Sequence, residues 1–183
     1  GDGTDEAAVL YTTDTTSSNV WLAVLEPTGG SSWRVSRVVE GLTSEVQSFS
    51  AAHLRDTSSQ QLLAGYVSPQ GDQYLVVYQY DGDTLSTVIS KSYTDMIVAD
   101  FTGKGDTQDL VLALPPDTEL GGVTLQLLTA NDGEFRSTQT LNLGEGVYRS
   151  CAALHPGTGR DDGMQLVKDA WTGTSSPVAE PNL

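Results

Sequence analysis

Basic residues and cysteines are scarce in this 183-residue chain. Lys and Arg together number 9, against 24 Asp and Glu, which gives a formal net charge of −15. Such a chain repels phosphate backbones and anionic lipid, which argues against nucleic acid and a bare membrane surface as partners. The single cysteine, Cys151, excludes an internal disulfide. The negative charge favours cations or basic proteins as partners.

Long apolar runs and catalytic motifs are also missing. No stretch of about 18 apolar residues spans a membrane, and we find no signal peptide. The sequence has no Gly-x-Ser-x-Gly elbow, no phosphate-binding loop and no His-Glu-x-x-His zinc motif. We therefore expect a protein that is not an enzyme and that uses no cofactor.

Short polar loops followed by apolar runs recur along the chain. A Gly-x-Gly spacing opens such a segment at 1–11, 103–114 and 157–167, and a copy without the glycines lies at 56–66. Tight-turn signals recur in phase with these loops, at Gly29-Gly30, Asp81-Gly82 and Asp132-Gly133. The period is roughly 50 residues, which is typical of a four-stranded propeller blade.

The composition favours strands and turns, because Thr, Ser, Gly and Val abound while helix formers are scarce. We predict strands at 6–13, 18–26, 33–40, 46–54, 61–68, 73–80, 84–93, 94–101, 109–115, 122–130, 134–143, 147–154 and 163–170. Within a unit the second strand is the most apolar, as expected for strands buried between neighbouring sheets. The expected fold is all-β, with consecutive four-stranded antiparallel blades of a β-propeller; a β-sandwich is the alternative.

A single β-repeat domain is expected over residues 1–171, with a C-terminal tail at 172–183. Its units are predicted at about 1–41, 42–93, 94–144 and 145–171. The two terminal units have fewer than four strands each. Either they close a small wheel together, or the chain is an arc of a larger propeller. Because the chain starts within a loop-like motif, we expect a trimmed product.

The segment IVADFTGKGDTQDLVLAL at 97–114 resembles the FG-GAP/VCBS type of repeat found in integrin-α-like β-propellers. The matching residues are Asp100, Phe101, Gly103, Gly105, Asp109 and the apolar run 110–114. The opening GDGTDEAAVLY is similar to the second half of the same motif. The resemblance implies a bacterial protein that is secreted or held at the cell surface, for example as a lipoprotein.

In that family the loop oxygens can bind calcium, an ion that takes about six to eight oxygen ligands. The candidate ligands in this chain are Asp2, Asp5, Asp100 and Asp109. Lys104 places an ammonium group among the ligand positions of the most complete copy. We therefore expect a plain turn without calcium, in which the glycines adopt positive φ angles and Asp100 caps loop amides.

Aromatic side chains are the candidate ligand-binding residues: Trp21, Trp33, Tyr78 and Trp171. Aromatic surfaces bind sugar rings and proteins, although the same rings can pack between blades. The predicted function is a non-catalytic binding or scaffold module outside the cell or at its surface, with a protein or glycan partner. An accessory domain of a carbohydrate-active or other secreted enzyme is the alternative.

Overall fold

The computed structural model describes residues 5–13, 19–42, 45–82, 84–103, 105, 107–116, 122–131, 134–144, 147–153 and 164–169. Side chains are described for these residues except 38–42, 147–153 and 164–169. This part of the chain contains β-strands and no helix, so the predicted all-β class is confirmed. It accordingly holds no helix that is long and apolar enough to cross a membrane.

The strands pair antiparallel into four sheets, each a run of consecutive strands. Sheet I contains β1 (Ala7–Tyr11), β2 (Val20–Gly29) and β3 (Ser32–Leu42). Sheet II contains β4 (Glu45–Ala52), β5 (Gln61–Val67), β6 (Gln73–Tyr80) and β7 (Leu85–Ser92). Sheet III contains β8 (Asp95–Ala99), β9 (Asp109–Ala113), β10 (Thr124–Asn131) and β11 (Glu134–Asn142), and sheet IV contains β12 (Val147–Ala153) and β13 (Met164–Asp169). The predicted strands are confirmed, with shifts of a few residues at their ends.

Glycine turns connect the strands where two of the turn signals lie. Gly29 and Gly30, between β2 and β3, have positive φ angles of 100° and 63°. Gly82, between β6 and β7, has a φ angle of 94°. Glycine adopts this region without the steric cost that other residues meet. The third predicted turn, Asp132-Gly133, lies outside the described residues.

The central strands of sheet II, β5 and β6, are buried on both faces, because sheets I and III pack against them. Successive residues of a strand point to opposite faces. On β5, Leu63 joins a core cluster with Leu112 of sheet III, whereas Ala64 and Tyr66 join a cluster with Leu22 of sheet I. In sheet III, every residue of β9 is buried, and β8 lies beside β12 of sheet IV. Sheets I, II and III therefore stack in chain order.

Burial decreases from the second strand of sheets II and III to the fourth. The strands β5 and β9 are almost wholly buried, whereas β7 is mostly exposed and β11 is exposed along nearly its whole length. This gradient agrees with the apolar second strands and polar fourth strands of the sequence. The sheets do not close into a ring in the described part of the chain, so the arrangement is compatible with a propeller and with a sandwich.

A two-residue connection carries the chain from sheet II to sheet III. The Tyr93 amide donates to the Gln73 carbonyl at the start of β6, at 3.2 Å. The next amide, of Thr94, donates to the Ala113 carbonyl at the end of β9, at 2.7 Å. Consecutive residues are thus bonded to different sheets, which fixes the position of one sheet relative to the other at this end.

Candidate functional site

One face of sheet I is apolar and points away from sheet II. Residues in register across the ladder share a face, and every second residue along a strand returns to it. We call this face of sheet I the open face. The strand pairing places nine residues on it: Ala7, Val9, Tyr11, Trp21, Ala23, Leu25, Pro27, Trp33 and Val35. None of these nine side chains carries a charge. The described side chains of the open face therefore form an apolar surface that includes residues of all three strands.

Large side chains of the open face are accessible to solvent. Trp33 and Val35 are 53% and 58% exposed, and Val9 and Tyr11 are exposed as well. The rings of Tyr11 and Trp21 stack with their centroids 6.3 Å apart and their planes inclined by 30°. Single exposed apolar residues are common on proteins, but a contiguous group marks an interaction surface.

The opposite face of sheet I is the one that sheet II covers. Leu22 is fully buried and packs in a cluster with Tyr66 and Tyr78 of sheet II. Ala8 and Leu10 of β1 pack against the same cluster. Within the described part of the chain, sheet I therefore has two apolar faces, and another sheet covers one of them.

A polar cluster on the covered face of sheet I fixes this sheet to sheet II. The Glu26 carboxylate accepts hydrogen bonds from Arg34 Nε and Nη2, at 3.0 and 2.7 Å, and from the Ser36 hydroxyl at 2.6 Å. The Tyr80 hydroxyl of sheet II lies 2.9 Å from Glu26 Oε1 and 2.7 Å from Ser36 Oγ. These three donors lower the pKa of Glu26 to about 2, with Ser36 contributing most and Arg34 next. An ionised carboxylate thus joins the two sheets.

The predicted aromatic residues lie in different environments. Trp21 and Trp33 both belong to the open face. Tyr78 is only 6% exposed, and its hydroxyl lies 3.3 Å from that of Tyr66 between sheets I and II. Burial raises the pKa of both tyrosines. The Tyr78 ring therefore packs in the core between the two sheets, and Trp171 lies outside the described residues.

The loop at 100–109 is a glycine turn that its own carboxylates close. Asp100 Oδ2 accepts a hydrogen bond from the Gly105 amide at 2.7 Å, and Asp109 Oδ2 accepts one from the Thr102 amide at 2.8 Å. Gly103 and Gly105 have φ angles of 70° and 77°. The predicted amide cap at Asp100 and the predicted positive φ angles are confirmed.

Of the other candidate calcium ligands, only Asp5 lies within the described residues. Asp5 is exposed at the start of sheet I, and Asp2 and Lys104 lie outside the described residues. No group of three or more His, Cys, Asp or Glu side chains in the described ranges could hold a metal ion. That calcium is not bound stays a prediction from the sequence.

The loop at 53–60 contains the start of the repeat copy that lacks the Gly-x-Gly glycines. Hydrogen bonds from side chains stabilise this loop. The fully buried Gln61 accepts hydrogen bonds from the Leu54 and Arg55 amides at 2.8 and 3.0 Å. His53 Nδ1 lies 3.2 Å from the Ser59 carbonyl, and the His53 carbonyl accepts a hydrogen bond from the Gln108 amide at 2.7 Å. His53 therefore ties its own loop to the glycine loop of sheet III.

Sequence reasoning identified only Trp21 and Trp33 on the open face and missed the other seven residues, which include the exposed Val9, Tyr11 and Val35. The available signal was the apolar residues at 7, 9 and 11, because residues two apart share a face of a strand. The same two-residue spacing at Tyr74, Val76 and Tyr78 belongs to residues packed between two sheets. Spacing identifies a shared face, but it does not reveal whether another sheet covers that face.

Comparison of the chain with models of known protein families gives no match, and comparison with curated proteins gives no similar sequence. The resemblance of the segment 97–114 and of the opening GDGTDEAAVLY to FG-GAP/VCBS repeats stays a prediction from the sequence. The structural grounds for a function are the open face and the way the other sheets are covered.

Proposed function

We propose that the chain is a non-catalytic binding or scaffold module, built from consecutive blades of a β-propeller, that packs another β-sheet onto its open face. The proposal rests on one observation: sheets I and II differ in how many of their faces another sheet covers. Sheet II is covered on both faces, whereas sheet I is covered on one. A contiguous exposed apolar patch marks a site of interaction with another protein surface.

A β-sheet with an apolar face is the occupant that best matches the open face. Sheets pack face to face at about 10 Å through interdigitated apolar side chains. The open face carries aliphatic and aromatic residues, as does the face of sheet I that packs on sheet II. A further sheet would continue the existing stack in the same direction. Basic residues around the partner's apolar face would be attracted by the net charge of −15.

Propeller blades account for this stack more simply than a sandwich does. A sandwich joins two sheets, each with one inner face, whereas three consecutive sheets stack here and the middle one is buried on both faces. A blade at the end of an incomplete propeller is left with one face uncovered, as sheet I is. Together with the resemblance to FG-GAP/VCBS repeats, this supports a place outside a bacterial cell or on its surface.

Photo-crosslinking from the open face tests the proposal. A photo-reactive amino acid replaces Trp33 in one variant, and the exposed Thr138 of β11 in a matched control. The protein is irradiated at its natural level in its own cells, and the crosslinked peptides are sequenced. We expect position 33, but not position 138, to crosslink to a β-strand of another sheet. Absence of a crosslink from position 33 would contradict the proposal.

A further inference from the structure

Sheet I has three strands, whereas sheets II and III have four each. The glycine turn between β2 and β3 matches the one between β6 and β7, so β2 and β3 correspond to the last two strands of sheet II. The strand β1 then corresponds to β5, which has β4 on one side and β6 on the other. Among the described residues β1 pairs with β2 alone, so sheet I lacks a counterpart of β4 there.

The missing neighbour leaves β1 far less buried than the strands it corresponds to. None of its residues is buried, whereas β5 is buried along most of its length and β9 along all of it. In an antiparallel ladder the N–H and C=O groups of alternate residues point to the same side of a strand. Alternate residues of β1 therefore direct both groups to the side on which no described strand lies.

The sequence of β1 carries none of the features that discourage a further strand. It reads AAVLY, without a charge or a proline. At least one charged residue occurs in every other strand at the edge of a sheet in the described part of the chain, namely β3, β4, β7, β8, β11, β12 and β13. Charges on an edge strand prevent pairing with other chains. The edge of β1 is thus the one that remains suited to pairing.

The part of sheet II beside this edge is apolar and incompletely covered. Val46 and Phe49 of β4 pack against the cluster that contains Leu22 of sheet I, so they point towards sheet I. Both are only partly buried, whereas Tyr66 and Ala64, their partners on β5, are fully buried. A strand added beside β1, in the place that β4 has in sheet II, would cover Val46 and Phe49.

We propose that the edge of β1 binds an extended segment of a partner protein, which becomes the fourth strand of sheet I. The segment runs antiparallel to β1, as β4 runs to β5. Its main chain forms hydrogen bonds with β1, and every second side chain packs on Val46 and Phe49, as in other cases of strand addition to a sheet edge. The proposed function uses the open face of sheet I instead, so either proposal can fail without the other.

Charge determines which residues suit one end of the segment. Asp5 and Glu6 are exposed directly before β1. In an antiparallel pair the C-terminal end of the added segment lies beside them, and Lys or Arg is favoured there. The net charge of −15 repels an acidic segment. The partner segment therefore has apolar residues at alternate positions and basic residues at its C-terminal end.

Hydrogen exchange of the protein with a synthetic peptide, read by mass spectrometry, tests the proposal. The probe alternates valine and threonine and ends in two lysines. We expect it to slow exchange of the amides of β1 and to leave those of β7, a charged edge strand of sheet II, unchanged. The same peptide with a central proline should bind roughly tenfold more weakly, because proline lacks the N–H group and disrupts strand pairing.

A variant of β4 tests the apolar contact. Val46→Thr should bind the probe roughly three- to tenfold more weakly, because a hydroxyl group replaces a methyl group in that contact. Ser50→Ala is the matched control, since Ser50 is exposed and pairs with Leu63, which points towards sheet III.

Three results would overturn the proposal. The first is unchanged exchange of β1 at millimolar probe. The second is equal binding of the probe and its proline-containing form. The third is slowed exchange of β3 without that of β1, which would place the peptide on the open face.

Discussion

Sheets I and II are built alike but covered differently. Both are antiparallel meanders with apolar residues on both faces. In sheet II, Leu63 and Ala64 point to opposite faces and each is fully buried. In sheet I, Leu22 is fully buried, whereas Trp33 and Val35 on the other face are more than half exposed. An apolar face stabilises the fold only when a neighbour removes it from water.

The comparison implies different energetic roles for similar residues. Burial of apolar surface contributes about 25 cal/mol per Å² removed from water. Residues of the covered faces make this contribution during folding. Residues of the open face make it only when a partner packs against them. Substitutions on the two kinds of face should therefore affect different measurements.

The largest expected effect comes from truncating the covered faces. Leu63→Ala in sheet II and Leu22→Ala in sheet I should each lower the free energy of unfolding by about 2–5 kcal/mol, since both residues are fully buried. Urea denaturation measures the change. A cost well below 1 kcal/mol for Leu22→Ala alone would show that sheet I does not pack on sheet II as described.

A smaller effect is expected at Gly65, where β5 lies against the Tyr93 and Ser48 hydroxyl groups. Gly65→Ala should destabilise the protein by about 1–3 kcal/mol, because the new methyl group crowds the Tyr93 and Ser48 hydroxyls. In a Tyr93→Phe background the cost should fall, since the nearest remaining ring atom lies 3.1 Å away. A double-mutant cycle by urea denaturation compares the backgrounds. Equal costs in both would exclude the Tyr93 hydroxyl as the source of crowding.

The strands could be predicted from the sequence, but the coverage of their faces could not. Glycine turns such as Gly29-Gly30 and the apolar run at 109–115 are local signals, so strand positions followed from them. Whether Tyr78 or Trp33 is buried depends on which sheet lies opposite, and that contact joins residues distant in sequence. The approach of Ser48 and Tyr93 was missed for the same reason, since it depends on a bulge in β4 and on Gly65. A glycine inside a predicted strand was the one local signal of a close approach.

Acid should weaken the contact between sheets I and II through Glu26. Its pKa is lowered from 4.5 to about 2, so its stabilising contribution is complete above about pH 4.5 and is lost as the pH falls towards 2. Melting temperatures of wild type and Glu26→Gln should therefore converge over this range. The control is Glu134→Gln, which removes an exposed ion pair within β11. A difference between wild type and Glu26→Gln that stays constant down to pH 2 would contradict the assignment.

The smallest effect on stability is expected at the open face itself. Val35→Ala should change the free energy of unfolding by less than about 0.5 kcal/mol, because its side chain is 58% exposed. The same urea titration used for Leu22→Ala provides the measurement. A loss of 1 kcal/mol or more would mean that the open face is already covered in the isolated protein.

Hydroxyl-radical footprinting of the dilute native protein, read by mass spectrometry, tests the unequal coverage most directly. Trp33 and Tyr11 on the open face should be oxidised rapidly, whereas Tyr66 and Tyr78 between sheets I and II should be protected until the protein unfolds. Protection of Trp33 and Tyr11 to the same degree as Tyr66 and Tyr78 would contradict the account.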